Sequence, residues 1–165
     1  MPIPTPEPGL VISYAYVWDY EAQRGQEEGR KNRPCVITLK IERQADGETV
    51  VTVLPVTHRP PEDAASAVEI PPAIKRHLGL DPERSWIVVS EGDQFVWPGY
   101  DLRKVRDTDR FDYGFLPPRF FDRVLTAFLA WHKNGKGRVI TRYINVRLEP
   151  GEQCVALDRQ RGQRI

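Results

Sequence analysis

Two β-rich runs joined by a short polar turn dominate this chain. Residues 34–42 alternate Ile37, Leu39 and Ile41 with Thr38, Lys40 and Glu42, and residues 49–57 read Thr-Val-Val-Thr-Val-Leu-Pro-Val-Thr. Period-two alternation and β-branched side chains over this length indicate strands. Between them lies Asp46-Gly47, a dipeptide suited to a tight hairpin turn. A hairpin returns the end of its second strand to the start of its first, so Arg33 and Thr57 are expected at one mouth of the sheet. A guanidinium beside a hydroxyl, next to a basic loop, is a donor set for a phosphate. Register decides whether the two meet. A two-residue turn at Asp46-Gly47 pairs Val36 with Thr57, which sets Arg33 and Thr57 on opposite faces and brings His58 to the Arg33 face. A bulge or a different turn resets that register. A reset is the expected arrangement, because Arg33 precedes Pro34 and need not follow the strand alternation.

The rest of the chain reads as further short strands and one long helix. Residues 1–8 form a Pro-rich arm, and Gly9 opens a first strand over 10–17. Residues 18–32, with Gly25, Gly29 and many charges, read as a long exposed loop, a length that is uncommon unless functional or disordered. Shorter strands are predicted at 67–70, 86–89 and 94–97, and another at 138–148. Pro71-Pro72 starts a helix of one or two turns that ends at Gly79. Residues 98–114 are turn-rich and charged. The long helix spans about 117–133, opened by Pro117-Pro118 and closed by Asn134-Gly135. Phe120, Phe121, Val124, Leu125, Phe128 and Trp131 share one of its faces, as core packing requires. Strands that do not alternate with helices argue against a parallel βαβ sheet. The expected fold is mainly β, a small curved barrel over 9–134 followed by a basic extension over 135–165 whose last dozen residues read as disordered.

Composition narrows the function classes. A chain of 165 residues is long enough for one domain with its own core. No apolar run approaches membrane-spanning length, and the N-terminus shows no signal-peptide pattern. Two cysteines are too few for a disulfide framework. His58, His77 and His132 are scattered without zinc spacing, so neither metal nor cofactor is expected. Net charge is only +1, yet residues 133–165 hold eight Lys/Arg against three acids. Such asymmetry fits either a solvated tail or a surface for nucleic acid.

Several of these residues resemble a known family. Gly-x-Val opening the first strand, a charged loop, Arg33-Pro34 leading an apolar strand and Leu54-Pro55-Val56-Thr57 ending the next are similar to the MazF/PemK (Kid) toxins of type II toxin–antitoxin systems. Ser85-Trp86-Ile87-Val88-Val89 followed by Asp93-Gln94, and Gly114-Phe115-Leu116 before the long helix, extend the likeness over roughly residues 8–133. Position 58 is His where the family usually has Ser, and Leu10 follows Gly9 where the family has Asp. The resemblance implies an SH3-like barrel of the MazF/CcdB type, a homodimer, and a cytoplasmic, metal-independent endoribonuclease that cuts single-stranded RNA and is blocked by a cognate antitoxin. By position it implies Arg33 and Thr57 as active-site residues and Glu28 as an active-site acid.

The residues suit that chemistry. Attack by a ribose 2′-OH needs in-line positioning, stabilisation of charge on the phosphate, and proton transfer. Arg33 can donate two parallel hydrogen bonds and Thr57 one more. Arginine is a poor base, so Glu28 or His58 is the chemically easier proton acceptor. Arg24, Arg30 and Lys31 are candidate phosphate contacts, and Trp18, Tyr20 and Trp97 candidate stacking platforms or packing residues. A barrel of this type that binds a protein or nucleic acid without cutting is the alternative, and a structural domain with a nucleic-acid-binding tail is a third.

Overall fold

The computed structural model describes residues 2–25 and 31–142, and the following refers to these. Eight strands and three helices alternate irregularly along the chain. They are β1 (Leu10–Ala15), α1 (Asp19–Gln23), β2 (Asn32–Glu42), β3 (Thr49–Thr57), β4 (Ala67–Glu69), α2 (Pro72–His77), β5 (Trp86–Val88), β6 (Glu91–Val96), β7 (Asp112–Phe115), α3 (Pro118–Lys133) and β8 (Arg138–Arg142). The strands form one sheet in the order β4-β5-β3-β2-β1-β7, and β6 branches from β3 to carry β8. Every pair is antiparallel except β6–β8, which is parallel.

This sheet is open. Its path ends at β4 on one side and β7 on the other, and no pairing joins them. The expected closed SH3-like barrel is therefore wrong, and the fold is a mixed α/β architecture. Strand order is what overturns it. β3 gives Val50–Val53 to β6 and Val56–Thr57 to β5. Its neighbours on that side thus fork instead of continuing round to β1.

The alternation along β1, β2 and β3 builds two cores, one on each face. Val11, Val36, Leu54 and Val56 point to one side, where Phe120, Val124 and Phe128 of α3 cover them together with Ile70, Leu78 and Ile87. Leu10, Ile12, Tyr14, Cys35, Ile37, Val51 and Val53 point to the other, against Tyr16, Phe95 and Leu102. Period two thus places successive residues in opposite cores, and β1 is buried along its whole length. The aromatic face expected for α3 is the packed one, and His132 joins it, its Nε2 3.2 Å from the Val89 carbonyl.

Two segments differ from the sequence expectation. Residues 19–23, expected within a loop, form the short helix α1. The Glu21 carboxylate accepts the Trp18 N–H at 3.1 Å, and the Glu91 carboxylate accepts the Asp19 N–H at 2.9 Å. Residues 112–114, expected within a turn-rich stretch, form β7 with Phe115 beside β1, with Gly114 at φ 97° marking its irregular register. The predicted strand at 138–148 begins as expected at Arg138, and its part beyond 142 lies outside the described residues, as does the expected disorder of the last dozen.

Candidate functional site

The β2–β3 register brings the two central candidates together. The hairpin does not turn at two residues. Arg43 donates its N–H to the Glu48 carbonyl at 2.8 Å, and Gly47 closes the loop back to the Arg43 carbonyl at 2.9 Å. The ladder starts from Glu42 opposite Thr49 and runs to Leu39 opposite Thr52. Continued unbroken, it would set Arg33 opposite His58. A bulge at Thr38 intervenes, after which Ile37 faces Val53 and Cys35 faces Pro55. Beyond the last ladder pair, Arg33 reaches the Val56 carbonyl at 3.4 Å, next to Thr57, and both line one cleft. The Thr38 hydroxyl donates to the Val36 carbonyl at 3.3 Å, and Gly9 donates its N–H to the Ile37 carbonyl at 2.8 Å, so the bulge is built into its surroundings. The expected reset is the arrangement found, made by a longer loop and a bulge together.

Arg33 is held from two directions. Its guanidinium carbon lies 4.9 Å above the Trp18 ring, and Nη1 donates to the Val56 carbonyl at 3.4 Å. Stacking on an indole fixes the plane of the fork and leaves its edge to a ligand. Its buried Nε has no hydrogen-bond partner among the described residues. Thr57 is prepared differently. Its Oγ1 accepts the Arg59 N–H at 3.2 Å, which occupies a lone pair and leaves the hydroxyl hydrogen to donate.

Both residues line an open cleft of about 470 Å³ at this mouth. Lys31, His58, Arg59, Lys75, Asp81 and Ser85 share the lining. Lys75 is buried, and its ammonium is fully used. Its three hydrogens go to Asp81 Oδ1 at 2.8 Å, Ser85 Oγ at 2.6 Å and the Glu83 carbonyl at 2.5 Å. Asp81 in turn meets His58 Nε2, its two oxygens at 3.1 and 3.0 Å. Burial raises the Asp81 carboxyl, but the Lys75 bond and charge, with His58, outweigh that and lower it below the ordinary carboxylate value. Behind the site Cys35 is a free buried thiol. Burial pushes it well up, the Asp93 carboxylate adds to this, and Arg33 opposes it only weakly. Cys35 is thus a protonated packing group, not a nucleophile.

Not every candidate reaches the cleft. Glu28 and Arg30 lie outside the described residues. Trp18 serves the site through Arg33. Tyr20 is exposed, with the Arg24 guanidinium 5.9 Å from its ring, and neither lines the cleft. Trp97 packs into the second core against Phe95. Among the described residues no group of His, Cys, Asp and Glu could hold a metal ion. No helix among them is long and apolar enough to cross a membrane. Sequence reasoning missed Lys75, Asp81 and Arg59. Lys75 and Asp81 come from the α2–β5 region, and no local pattern ties that region to the hairpin.

Comparison with protein-family models, curated proteins and solved structures returns no match to this chain. The resemblance to MazF/PemK growth inhibitors gains no support from relatives, and the open sheet departs from the barrel that likeness implies. That description of the chain is corrected accordingly.

Proposed function

We propose that this chain is a metal-independent endoribonuclease that cuts single-stranded RNA by attack of a ribose 2′-OH. Its biological setting in this reading is the cytoplasm. The carrying observation is that Arg33 and Thr57 line one cationic cleft, at the end of a β2–β3 ladder whose register is reset by the bulge at Thr38. That donor pair suits a phosphodiester in the act of transfer. The fork edge of Arg33 meets two non-bridging oxygens and the Thr57 hydroxyl adds a third bond. Lys31 and Arg59 hold neighbouring phosphates. The 2′-oxygen bonds to phosphorus, the P–O5′ bond breaks, and the products are a 2′,3′-cyclic phosphate and a 5′-hydroxyl.

The test is induction in cells with mapping of new RNA 5′ ends, wild type against Arg33→Ala. New ends and growth arrest that both disappear in the variant are expected. Soluble wild-type protein that yields neither overturns the reading. Arrest with intact RNA points instead to a domain that binds its target without cutting.

A further inference from the structure

The ribonuclease reading leaves one role unfilled, the group that takes the 2′-OH proton, and the inference below rests on that reading. Among the described residues of the cleft, most titratable groups are unsuited to it. Arg33 and Arg59 carry guanidinium groups, which have donors and no acceptor. The Lys75 ammonium has all three hydrogens engaged and no lone pair. Asp81 is bonded by Lys75, by the Glu83 N–H at 3.0 Å and by His58.

His58 is different. We infer that His58 is the proton acceptor of this site, oriented by Asp81, which Lys75 anchors from the protein interior. With Nε2–H donated to Asp81, the imidazole is fixed in one tautomer, and its second nitrogen, 3.5 Å from the exposed Glu83 carboxylate, carries the lone pair. The ring is half-exposed, as a group that exchanges protons with a bound strand must be. Its charged surroundings are mixed. Asp81 lies at 3.0 Å on one nitrogen and the exposed Glu83 carboxylate at 3.5 Å on the other, and both favour the imidazolium formed in the reaction. Lys31, Arg33 and Arg59 share the cleft and disfavour it, and Lys75 is neutralised by its own bond to Asp81. The arrangement is a histidine–carboxylate pair with a buried ammonium behind it, built from the end of β3, α2 and the loop before β5.

The proton balance closes without a co-reactant. His58 takes the proton of the 2′-OH as that oxygen bonds to phosphorus. The departing O5′ takes a proton from water, and the imidazolium returns its own to solvent. Asp81 is a positioning residue in this scheme, acting only through the ring.

The experiment is single-turnover cleavage of a mixed-sequence single-stranded RNA between about pH 5 and 9, the range across which imidazoles change charge. Wild type, His58→Ala and Asp81→Asn are compared, with binding of the 2′-deoxy oligonucleotide measured in parallel. His58→Ala should lose about 10²-fold in rate, consistent with removal of a general base. It should also lose the acid limb of the pH profile, keep its oligonucleotide affinity within about threefold, and regain rate with added imidazole. Asp81→Asn keeps a side chain of the same shape but removes a charge that favours the imidazolium, so its acid limb should move to lower pH. Wild-type cleavage with an unchanged profile in His58→Ala overturns the inference and leaves the ribonuclease reading standing. Loss of rate with no imidazole rescue and an intact acid limb overturns it as well. No cleavage by wild type, with the deoxy oligonucleotide bound, sinks the ribonuclease reading itself and the inference with it.

Discussion

At the scale of single residues, Arg33 and Thr57 are prepared by unlike means. Arg33 gains its orientation from a stacked indole and a carbonyl, Thr57 from an N–H that takes one of its lone pairs. The consequences of substitution should differ in kind. Arg33→Ala removes the fork and is expected to lower the single-turnover rate by 10²-fold or more, in the range of one lost preorganised donor at ~3 kcal/mol. Arg33→Lys retains the charge but neither the bidentate fork nor the stacking, and should recover only a minor part of that loss. Thr57→Val removes the hydroxyl at nearly constant shape and should cost a similar factor, whereas Thr57→Ser keeps it and should stay within about tenfold of wild type. Rates measured on variants with unchanged melting temperatures check this. A Thr57→Val rate equal to wild type would remove Thr57 from the site.

At the scale of elements, the segment that carries Trp18 over Arg33 is tied to β6 by two carboxylates, Asp93, which accepts the Val17 N–H at 3.3 Å, and Glu91. Glu91 of β6 accepts the Tyr16 hydroxyl at 3.1 Å and the Asp19 N–H at 2.9 Å, so it ties the end of β1 and the start of α1 to the sheet. Burial raises its carboxyl. The two hydrogen bonds oppose this and the Asp19 and Glu21 charges add to it. A carboxyl raised in the native state keeps its proton after the unfolded chain has lost it. Its contribution to stability is thus whole below the ordinary value of 4.5 and falls as pH rises through the native one. Glu91→Gln can accept both bonds and has no such titration. It should lie within about 1 kcal/mol of wild type at neutral pH and lack the fall above pH 4.5. Glu91→Ala leaves both donors without that partner and should cost about 2–3 kcal/mol. Denaturant melts across pH measure all three, and an identical pH dependence in wild type and Glu91→Gln would refute the assignment. None of this was readable in the sequence, since α1 has five residues and no apolar periodicity. β3, in contrast, was legible to its bounds, because Thr49 to Thr57 alternates between two cores and is closed by a loop at each end. β7 was hidden by Asp112 and Gly114, which fit a strand only where its register slips against β1.

At the scale of the whole molecule, closure of the sheet was the feature local patterns could not supply. Each strand's alternation reports which faces are buried, not which strand lies beside it, and β3 splits its length between β6 and β5. The same limit hid half the site. His58 and Asp81 are 23 residues apart and meet only because β5 pairs with the end of β3 and α2 lies just before it. Charge is also a property of the assembled fold. The chain carries a net +1, too little to hold a polyanion by its overall field. Lys31, Arg33 and Arg59 nonetheless line one cleft, while Lys75 beside them is spent on internal acceptors. Three cations, of which Arg59 meets only the exposed Glu62 carboxylate at 3.6 Å, predict a modest, countable salt dependence. For single strands log K falls against log salt by about 0.7 per phosphate neutralised, so binding of a short oligonucleotide should show a slope near −2. Arg59→Ala should weaken binding at low salt and flatten the slope by about 0.7, whereas a neutral substitution at an exposed arginine outside the cleft, such as Arg106, should leave it unchanged. Fluorescence anisotropy titrations between about 50 and 300 mM salt give the slopes directly. A slope far steeper than three contacts allow would mean that cations beyond the cleft, including the basic residues after 133, share in holding the strand.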